Sequence, residues 1–248
     1  GDASIASPFT ARRVSIDCVR SVLLQGRCTL VTTLQIYKIL ALNCLVSAFM
    51  MSFLFLVGAK QGDSQMTVVG IMVAALFFAT SRAEPVDALS ARRPPRSIFC
   101  SAFCISVLLQ SAVHLAAIVA ITRLSADFLA AQAAESVPDG PFRPSPFNGA
   151  VFLLSTFQTI TTFVANYRGA PFMQSLASHK LLLGIALGGY VAATLSLLGL
   201  PVLTSLLELP DFAPGGAVDA GFKAVLLALM VGDALLCVGV ELACRMLE

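Results

Sequence analysis

Apolar residues fall into six long segments that polar, charged or proline-rich stretches separate. The segments are residues 30–57, 65–81, 98–121, 150–164, 181–200 and 222–242. A helix needs about 20 apolar residues to cross a bilayer, so the pattern predicts six membrane helices. At ~1.5 Å per residue, the segment 65–81 reaches only about 25 Å, less than the ~30 Å hydrocarbon core. We therefore expect the bilayer to be thinner there, or neighbouring helices to shield this segment.

The residues before the first segment predict a short amphipathic helix. Pro8 after Ser7 is typical of a first helical turn. Four apolar residues between positions 16 and 23 then share one face at helical spacing. Gly26 is expected to end this helix. The long segment that follows is interpreted as a membrane helix that begins in a part of the protein outside the bilayer and then enters the membrane.

The composition supports an all-α polytopic membrane protein with a short polar N-terminal stretch. The chain is 57% hydrophobic and 12% charged, with a mean hydropathy of +0.86, whereas about 25% of residues are charged in soluble domains. The net charge is +2, and the basic residues are spread over several loops instead of forming one patch, so the charge does not indicate a nucleic-acid partner and none is expected. Because the chain begins at Gly1 and its first methionine is Met50, we expect it to be part of a longer protein.

Loop charges predict the orientation in the membrane. One side carries eleven basic residues, in the N-terminal stretch, the second-to-third loop, the fourth-to-fifth loop and the C-terminal tail. The other side carries four, namely Lys60, Arg123, Arg143 and Lys223. Cytosolic loops carry the excess of Lys and Arg, so both ends of the chain are expected in the cytosol. The loops 123–149 and 201–221, rich in proline and acidic residues, are then luminal.

The seven cysteines predict neither a disulfide framework nor a metal site. None lies in the expected luminal loops, where oxidising conditions would favour disulfides. Cys100 and Cys104 lie one helical turn apart, but the sequence shows no cluster of further ligands for a metal ion. We interpret these two as small buried thiols.

Four polar residues inside the segments are candidates for a substrate path: Asn43, Ser47, Gln158 and Asp233. Asn43 either faces a groove or joins two helices through a hydrogen bond. Asp233, in the middle of the last segment, must face protein or water. It is either a structural link to another helix, which we favour, or a substrate contact. The segment around Gln158 is rich in threonine and is expected inside the bundle or along a cavity.

Other polar residues in the segments have plainer interpretations. Lys38 is expected to extend its ammonium group to the cytosolic surface. Gln110 and His114 share a helical face, and a buried, satisfied pair is favoured over a proton relay. Glu241 is expected to pair with Arg245, four residues further on.

Four stretches of the chain resemble the P-type ATPases. Residues 1–10 (GDASIASPFT) and 25–43 (QGRCTLVTTLQIYKILALN) are similar to the end of the phosphorylation domain and the stalk helix of those pumps. The cytosolic stretch RRPPRS, which contains Arg92, Arg93, Pro94, Pro95 and Arg96, resembles the loop that couples to the stalk. With NYRGAPFM at 166–173, the chain resembles the C-terminal portion of the fifth class, subgroup A, the endoplasmic-reticulum transmembrane-helix dislocases.

The resemblance implies a division of the chain and a function. Residues 1–26 would be the end of the phosphorylation domain and the stalk entry, and residues 27–248 the fifth to tenth membrane helices. The family uses ATP and Mg²⁺, phosphorylates an aspartate and extracts misinserted transmembrane helices from the endoplasmic-reticulum membrane. The chain lacks the phosphorylation and magnesium motifs, so no catalytic residue and no bound cofactor are expected here. The expected partners are a helical cargo, the rest of the polypeptide and the bilayer.

Two alternatives remain open from the sequence. A cation or polyamine transporter would need several oxygen ligands, usually including carboxylates, and segments 30–57 and 65–81 contain none at that depth. A non-enzymatic six-helix channel or scaffold would be complete in itself. The polar stretch before the first helix argues against that alternative.

Overall fold

Each of the six apolar segments forms a helix in the computed structural model, which describes residues 15–95, 97–128 and 142–246. The six long helices are α1 (Asp17–Leu56), α2 (Asp63–Ser81), α3 (Ser101–Leu124), α4 (Pro146–Asn166), α5 (Lys180–Leu198) and α7 (Ala220–Met246). All six are long and apolar enough to cross a membrane. The prediction of an all-α protein with six membrane helices is confirmed.

The predicted helix end at Gly26 is wrong. α1 begins at Asp17 and runs without interruption for 40 residues. A glycine costs a helix interior about 1 kcal/mol relative to alanine, which is too little to end a helix with strong helix formers on both sides. The boundary expected between residues 26 and 27 therefore lies within one helix. The helix start predicted at Ser7 and Pro8 lies outside the described residues.

α4 is the central helix of the bundle and packs against α1, α2, α3, α5 and α7. Of its most apolar stretch, 94% is buried inside the protein, whereas at most 39% is buried in the other long helices. The side chain of Ser145 accepts a hydrogen bond from the backbone of Asn148 at 3.1 Å, and Pro146 occupies the first turn. These features start the helix. The expectation that this threonine-rich segment lies inside the bundle is confirmed.

The two ends of the bundle differ in their connections. At one end, here called the basic end, residues 82–95 and 167–179 meet the first turns of α1 and the last turn of α7. The backbone N–H of Gln174 donates to the carbonyl of Glu84 at 2.9 Å, and Arg27 donates to the carbonyl of Ser90 at 2.6 Å. At the opposite end, the short helix α6 (Pro201–Leu206) and a 3₁₀ turn (Pro210–Phe212) fold over the start of α4. The sequence predicted only a loop there.

Gly199 makes the turn between α5 and α6. Its φ of +89° lies in the left-handed region, which residues with a side chain rarely adopt. A Cβ at this position would also collide with the backbone carbonyl of Phe212. Phe212 is wholly buried against the core around α4, so the carbonyl cannot move away freely.

Gly199→Ala is therefore expected to destabilise the protein by about 1–3 kcal/mol, because it combines an unfavourable φ with a steric clash. Gly184→Ala is the matched control. Gly184 lies within α5 and a Cβ there meets nothing within 4 Å. The thermal unfolding midpoint of the detergent-solubilised full-length protein checks this. Equal midpoints for the two variants would contradict it.

Candidate functional site

Polar side chains form a seam between α3 and α7. Ser106, Gln110 and His114 repeat every four residues on α3, and three residues of α7 repeat in the same way: Asp233, Cys237 and Glu241. Residues four apart lie on one face of a helix. All six are buried, so the two faces meet inside the bundle. The polar groups of the seam are satisfied by each other and by α1 and α4.

Towards the basic end, the seam contains a buried ion pair. Lys38 on α1 contacts Glu241 on α7, and their side chains are 4% and 2% exposed. The same carboxylate accepts hydrogen bonds from Ser106 at 2.6 Å and from Gln110 at 3.2 Å. Arg245 donates to its other oxygen at 3.0 Å, which confirms the expected pair with Glu241. The expectation that Lys38 extends to the membrane surface is wrong, because its ammonium group is neutralised by an acid within the bundle.

Gln110 connects this ion pair to α4. Its amide and that of Asn166 form a reciprocal pair, with donor–acceptor distances of 3.1 and 2.9 Å. Arg245 also donates to the carbonyls of Ala165 and Tyr167, both at 2.9 Å. The first, third, fourth and last long helices are thus joined by one hydrogen-bonded network. Gln110 and His114 are buried and satisfied as expected, although neither is the partner of the other.

Near the middle of α3 and α7, the seam ends in a second cluster. His114 Nδ1 lies 2.9 Å and 3.0 Å from the two oxygens of Asp233. Gln158 on α4 donates to Asp233 at 3.0 Å and to the carbonyl of His114 at 3.1 Å. The sulfur of Cys237 lies 3.6 Å from His114 Nε2. Asp233 therefore links three helices, which is the arrangement that the structural interpretation of this residue predicts.

The four predicted substrate-path residues do not form one site. Gln158 and Asp233 are in contact, as described above. Asn43 is 8% exposed and accepts a hydrogen bond from Thr162 of α4 at 2.8 Å, whereas Ser47 is exposed on α1. Whether any of the four contacts a substrate stays a prediction. Within the described residues, the buried carboxylates are Asp233 and Glu241, both on α7.

The prediction that Cys100 and Cys104 are buried thiols is wrong. Cys104 is exposed and Cys100 is half-buried, while Cys28, Cys237 and Cys244 are buried. All seven cysteines are free thiols. Cys237 is the residue of the central cluster that the sequence did not single out. Its position four residues from both Asp233 and Glu241 was the sequence signal that could have identified it.

Comparison with known proteins places the chain in a family. It is 38% identical over 94% of its length to an endoplasmic reticulum transmembrane helix translocase of Aspergillus fumigatus. It is 42% identical over 73% of its length to the "Probable manganese-transporting ATPase PDR2" of Arabidopsis thaliana, and 32% identical over 92% to the polyamine-transporting ATPase 13A2 of mouse.

The chain belongs to the fifth class, subgroup A, of the P-type ATPases. It covers 17%, 15% and 19%, respectively, of the length of these three relatives. No family model matches the chain.

The two loops that carry the family resemblance lie together at the basic end. In the loop 82–95, Arg20 of α1 contacts the carbonyl of Asp87, and Arg27 contacts that of Ser90. Arg92 and Arg93 are exposed. Asp87 and Ser90 of this loop thus accept hydrogen bonds from α1, and the coupling role of Arg92, Arg93 and the residues after them stays a prediction.

The remaining members of that motif and the second loop complete this end. Pro94 and Pro95 are half-buried, and Arg96 lies outside the described residues. In the second loop, the backbone N–H of Arg168 donates to the side chain of Gln35 on α1 at 3.0 Å. Both loops thus contact α1 through hydrogen bonds.

Proposed function

We propose that the chain is the fifth-to-tenth-helix part of an ATP-driven translocase that extracts misinserted transmembrane helices from the endoplasmic-reticulum membrane. The observation that carries this proposal is the 38% identity, over 94% of the chain, to the endoplasmic reticulum transmembrane helix translocase of Aspergillus fumigatus. The whole protein would bind ATP and Mg²⁺ outside this chain. Both ends of the chain would lie in the cytosol, in keeping with the basic residues at that end.

The positions of the buried carboxylates support a helical cargo over a cation. A hard cation is held by several oxygen ligands, usually with carboxylates among them. In the described residues, the buried carboxylates lie on α7 and are bonded to Lys38 and His114. α1 and α2 offer no buried carboxylate. The residues of this chain therefore give less support to the transport of manganese or polyamines, which the names of two relatives indicate.

The surface of α1 and α2 supports an apolar cargo. Large apolar side chains such as Leu40 and Met51 on α1, and Ile71 and Phe78 on α2, are exposed. A helical cargo presents an apolar surface to such side chains and needs no charge partner. The loops 123–149 and 201–221 carry six acidic residues, so basic residues flanking the cargo helix would be attracted there.

A reconstituted ATPase assay tests this function. In liposomes, ATP hydrolysis by the full-length protein is expected to rise saturably with a moderately hydrophobic helical peptide that has basic flanks. The same peptide with acidic flanks is the matched control and should stimulate less. Calcium, manganese and spermine should leave the rate unchanged. Saturable stimulation by one of these three cations, lost on Asn43→Ala or Ser47→Ala, would replace the proposal with a pump.

A further inference from the structure

Three buried side chains of different donor chemistry converge at the centre of the bundle. His114 lies on α3, and Asp233 and Cys237 lie one turn apart on α7. A nitrogen, an oxygen and a sulfur atom from these side chains all lie within 4.8 Å of one another. The three residues are 0%, 3% and 0% exposed. We propose that His114, Asp233 and Cys237 bind one divalent metal ion of the zinc type.

The donor atoms lie close enough together to reach one tetrahedral ion after side-chain adjustment. Zinc bonds of about 2.0–2.3 Å separate neighbouring ligand atoms by roughly 3.3–3.7 Å. The sulfur of Cys237 lies 3.7 Å from His114 Nδ1, and that nitrogen lies 2.9 Å from Asp233 Oδ2. The sulfur is almost as close to His114 Nε2, at 3.6 Å, so it lies over the imidazole ring rather than along the lone pair of Nδ1. To admit the ion, the Cys237 side chain must rotate towards the carboxylate, and the nitrogen–oxygen separation must widen by a few tenths of an ångström.

Charge balance favours a metal ion at this depth. A carboxylate in the middle of a membrane protein is costly without partners, and the partners of Asp233 are the side chains of His114 and Gln158 rather than a lysine or an arginine. Within the described residues, the charged side chains near the other end of the seam, Lys38 and Arg245, are both bonded to Glu241. A divalent ion bound by an aspartate, a cysteine thiolate and a neutral histidine forms a group with no net charge. Such a group is compatible with the low dielectric constant of the bundle centre.

Gln158 supplies an independent observation and a fourth ligand. Its Oε1 is buried without a hydrogen-bond partner, while its Nε2 donates to Asp233 Oδ1 and to the carbonyl of His114. An unsatisfied buried acceptor is rare in native proteins. Rotating the amide by half a turn breaks both of these hydrogen bonds and directs Oε1 towards the carboxylate, which is unfavourable unless a cation lies between the two oxygens. With a metal bound, the orphaned oxygen becomes the fourth ligand.

The donor set indicates the identity of the ion. A thiolate and an imidazole are typical ligands of zinc, whereas calcium and magnesium prefer oxygen. A closed site with four protein ligands is typical of structural zinc. Here the ion would fasten α3, α4 and α7 to one another at mid-membrane. The role of Asp233 would then be to bind metal rather than cargo.

Metal analysis of the full-length protein tests the proposal. The protein is purified without chelators and with an epitope tag free of histidine and cysteine, and its zinc content is measured by plasma mass spectrometry. Cys237→Ala is expected to contain about one zinc ion per chain fewer than the wild type, because the thiolate is a ligand. Cys244→Ala is the matched control, since Cys244 is also a buried free cysteine of α7. That variant should keep the wild-type content.

A spectroscopic measurement on the wild type covers the case in which Cys237→Ala fails to fold. Cells grown in cobalt should yield a protein with the absorption bands of tetrahedral cobalt and of a cobalt–thiolate bond. Cys237→Ser, which nearly preserves the side-chain volume, should lose the thiolate band alone or lose the metal. Zinc-free and cobalt-free wild-type protein would overturn the proposal. So would metal content that is unchanged in the Cys237 variants or reduced equally in Cys244→Ala.

Discussion

Glu241→Leu in the full-length protein is expected to lower its stability by about 3–5 kcal/mol, because the change leaves a buried positive charge without its partner. Lys38 is 4% exposed and forms its ion pair with Glu241. The change also removes the acceptor for Ser106, Gln110 and Arg245. An unsatisfied buried donor adds a desolvation penalty to the lost charge interaction.

Replacing the other member of the ion pair, Lys38, is expected to lower the stability less. In Lys38→Met, the carboxylate of Glu241 keeps Arg245 and the two neutral donors of α3 as partners. We expect a loss of about 1–2 kcal/mol, in the range of a hydrogen bond to a charged group. The double variant Lys38→Met with Glu241→Leu should be more stable than Glu241→Leu alone, because replacing both charges by apolar groups removes the unpaired ammonium. Such non-additivity is the sign of a direct interaction.

The order of the unfolding midpoints provides the test. The wild type, the two single variants and the double variant are compared in the same detergent. Asp17→Asn is the control, because Asp17 and Arg20 form an exposed ion pair at 3.8 Å, which is worth about 0–1 kcal/mol. A double variant less stable than Glu241→Leu would show that the buried pair is not the source of the effect.

The number of helices and the place of α4 could be predicted from the sequence for simple physical reasons. Long apolar runs cross a bilayer whatever they pack against, so the six spans follow from local composition. Gln158 and the surrounding threonines are poorly suited to contact lipid, so a central position for α4 also follows. The end of the short N-terminal helix could not be predicted correctly, because that prediction rested on Gly26 alone. Its small penalty is overcome by the cooperativity of a long helix.

The seam could be predicted only in part. The spacing of Gln110 and His114 indicated one polar face, and that of Glu241 and Arg245 another. Nothing local indicates that these two faces meet, since that depends on which helices become neighbours. Lys38 is an example. Without knowledge of its neighbours, a lysine near a membrane surface is expected to extend towards water. Because the fold brings Glu241 beside it, the ammonium group is paired inside the bundle instead.

Gln65→Leu is expected to destabilise the opposite end of the bundle by about 2–4 kcal/mol, because three buried polar groups lose their partner at once. Gln65 is wholly buried. Its amide nitrogen donates to Asn148 Oδ1 and to the carbonyl of Leu207, both at 3.0 Å, and its oxygen accepts from the backbone of Gly62 at 3.3 Å. One side chain therefore joins the starts of α2 and α4 to the end of α6.

Two further variants separate hydrogen bonding from side-chain size. Gln65→Glu keeps the volume but turns a donor into an acceptor opposite Asn148 Oδ1 and the Leu207 carbonyl, so it should be at least as destabilising as Gln65→Leu near neutral pH. Asn148 cannot compensate by turning its amide, because its nitrogen donates to the carbonyl of Lys60 at 2.6 Å. Thr67→Ala, which removes an exposed hydroxyl bonded within α2, should change stability by no more than about 0.5 kcal/mol. Unfolding midpoints of the full-length variants test this order, and a Gln65→Glu protein as stable as the wild type would contradict the proposed role of the donor.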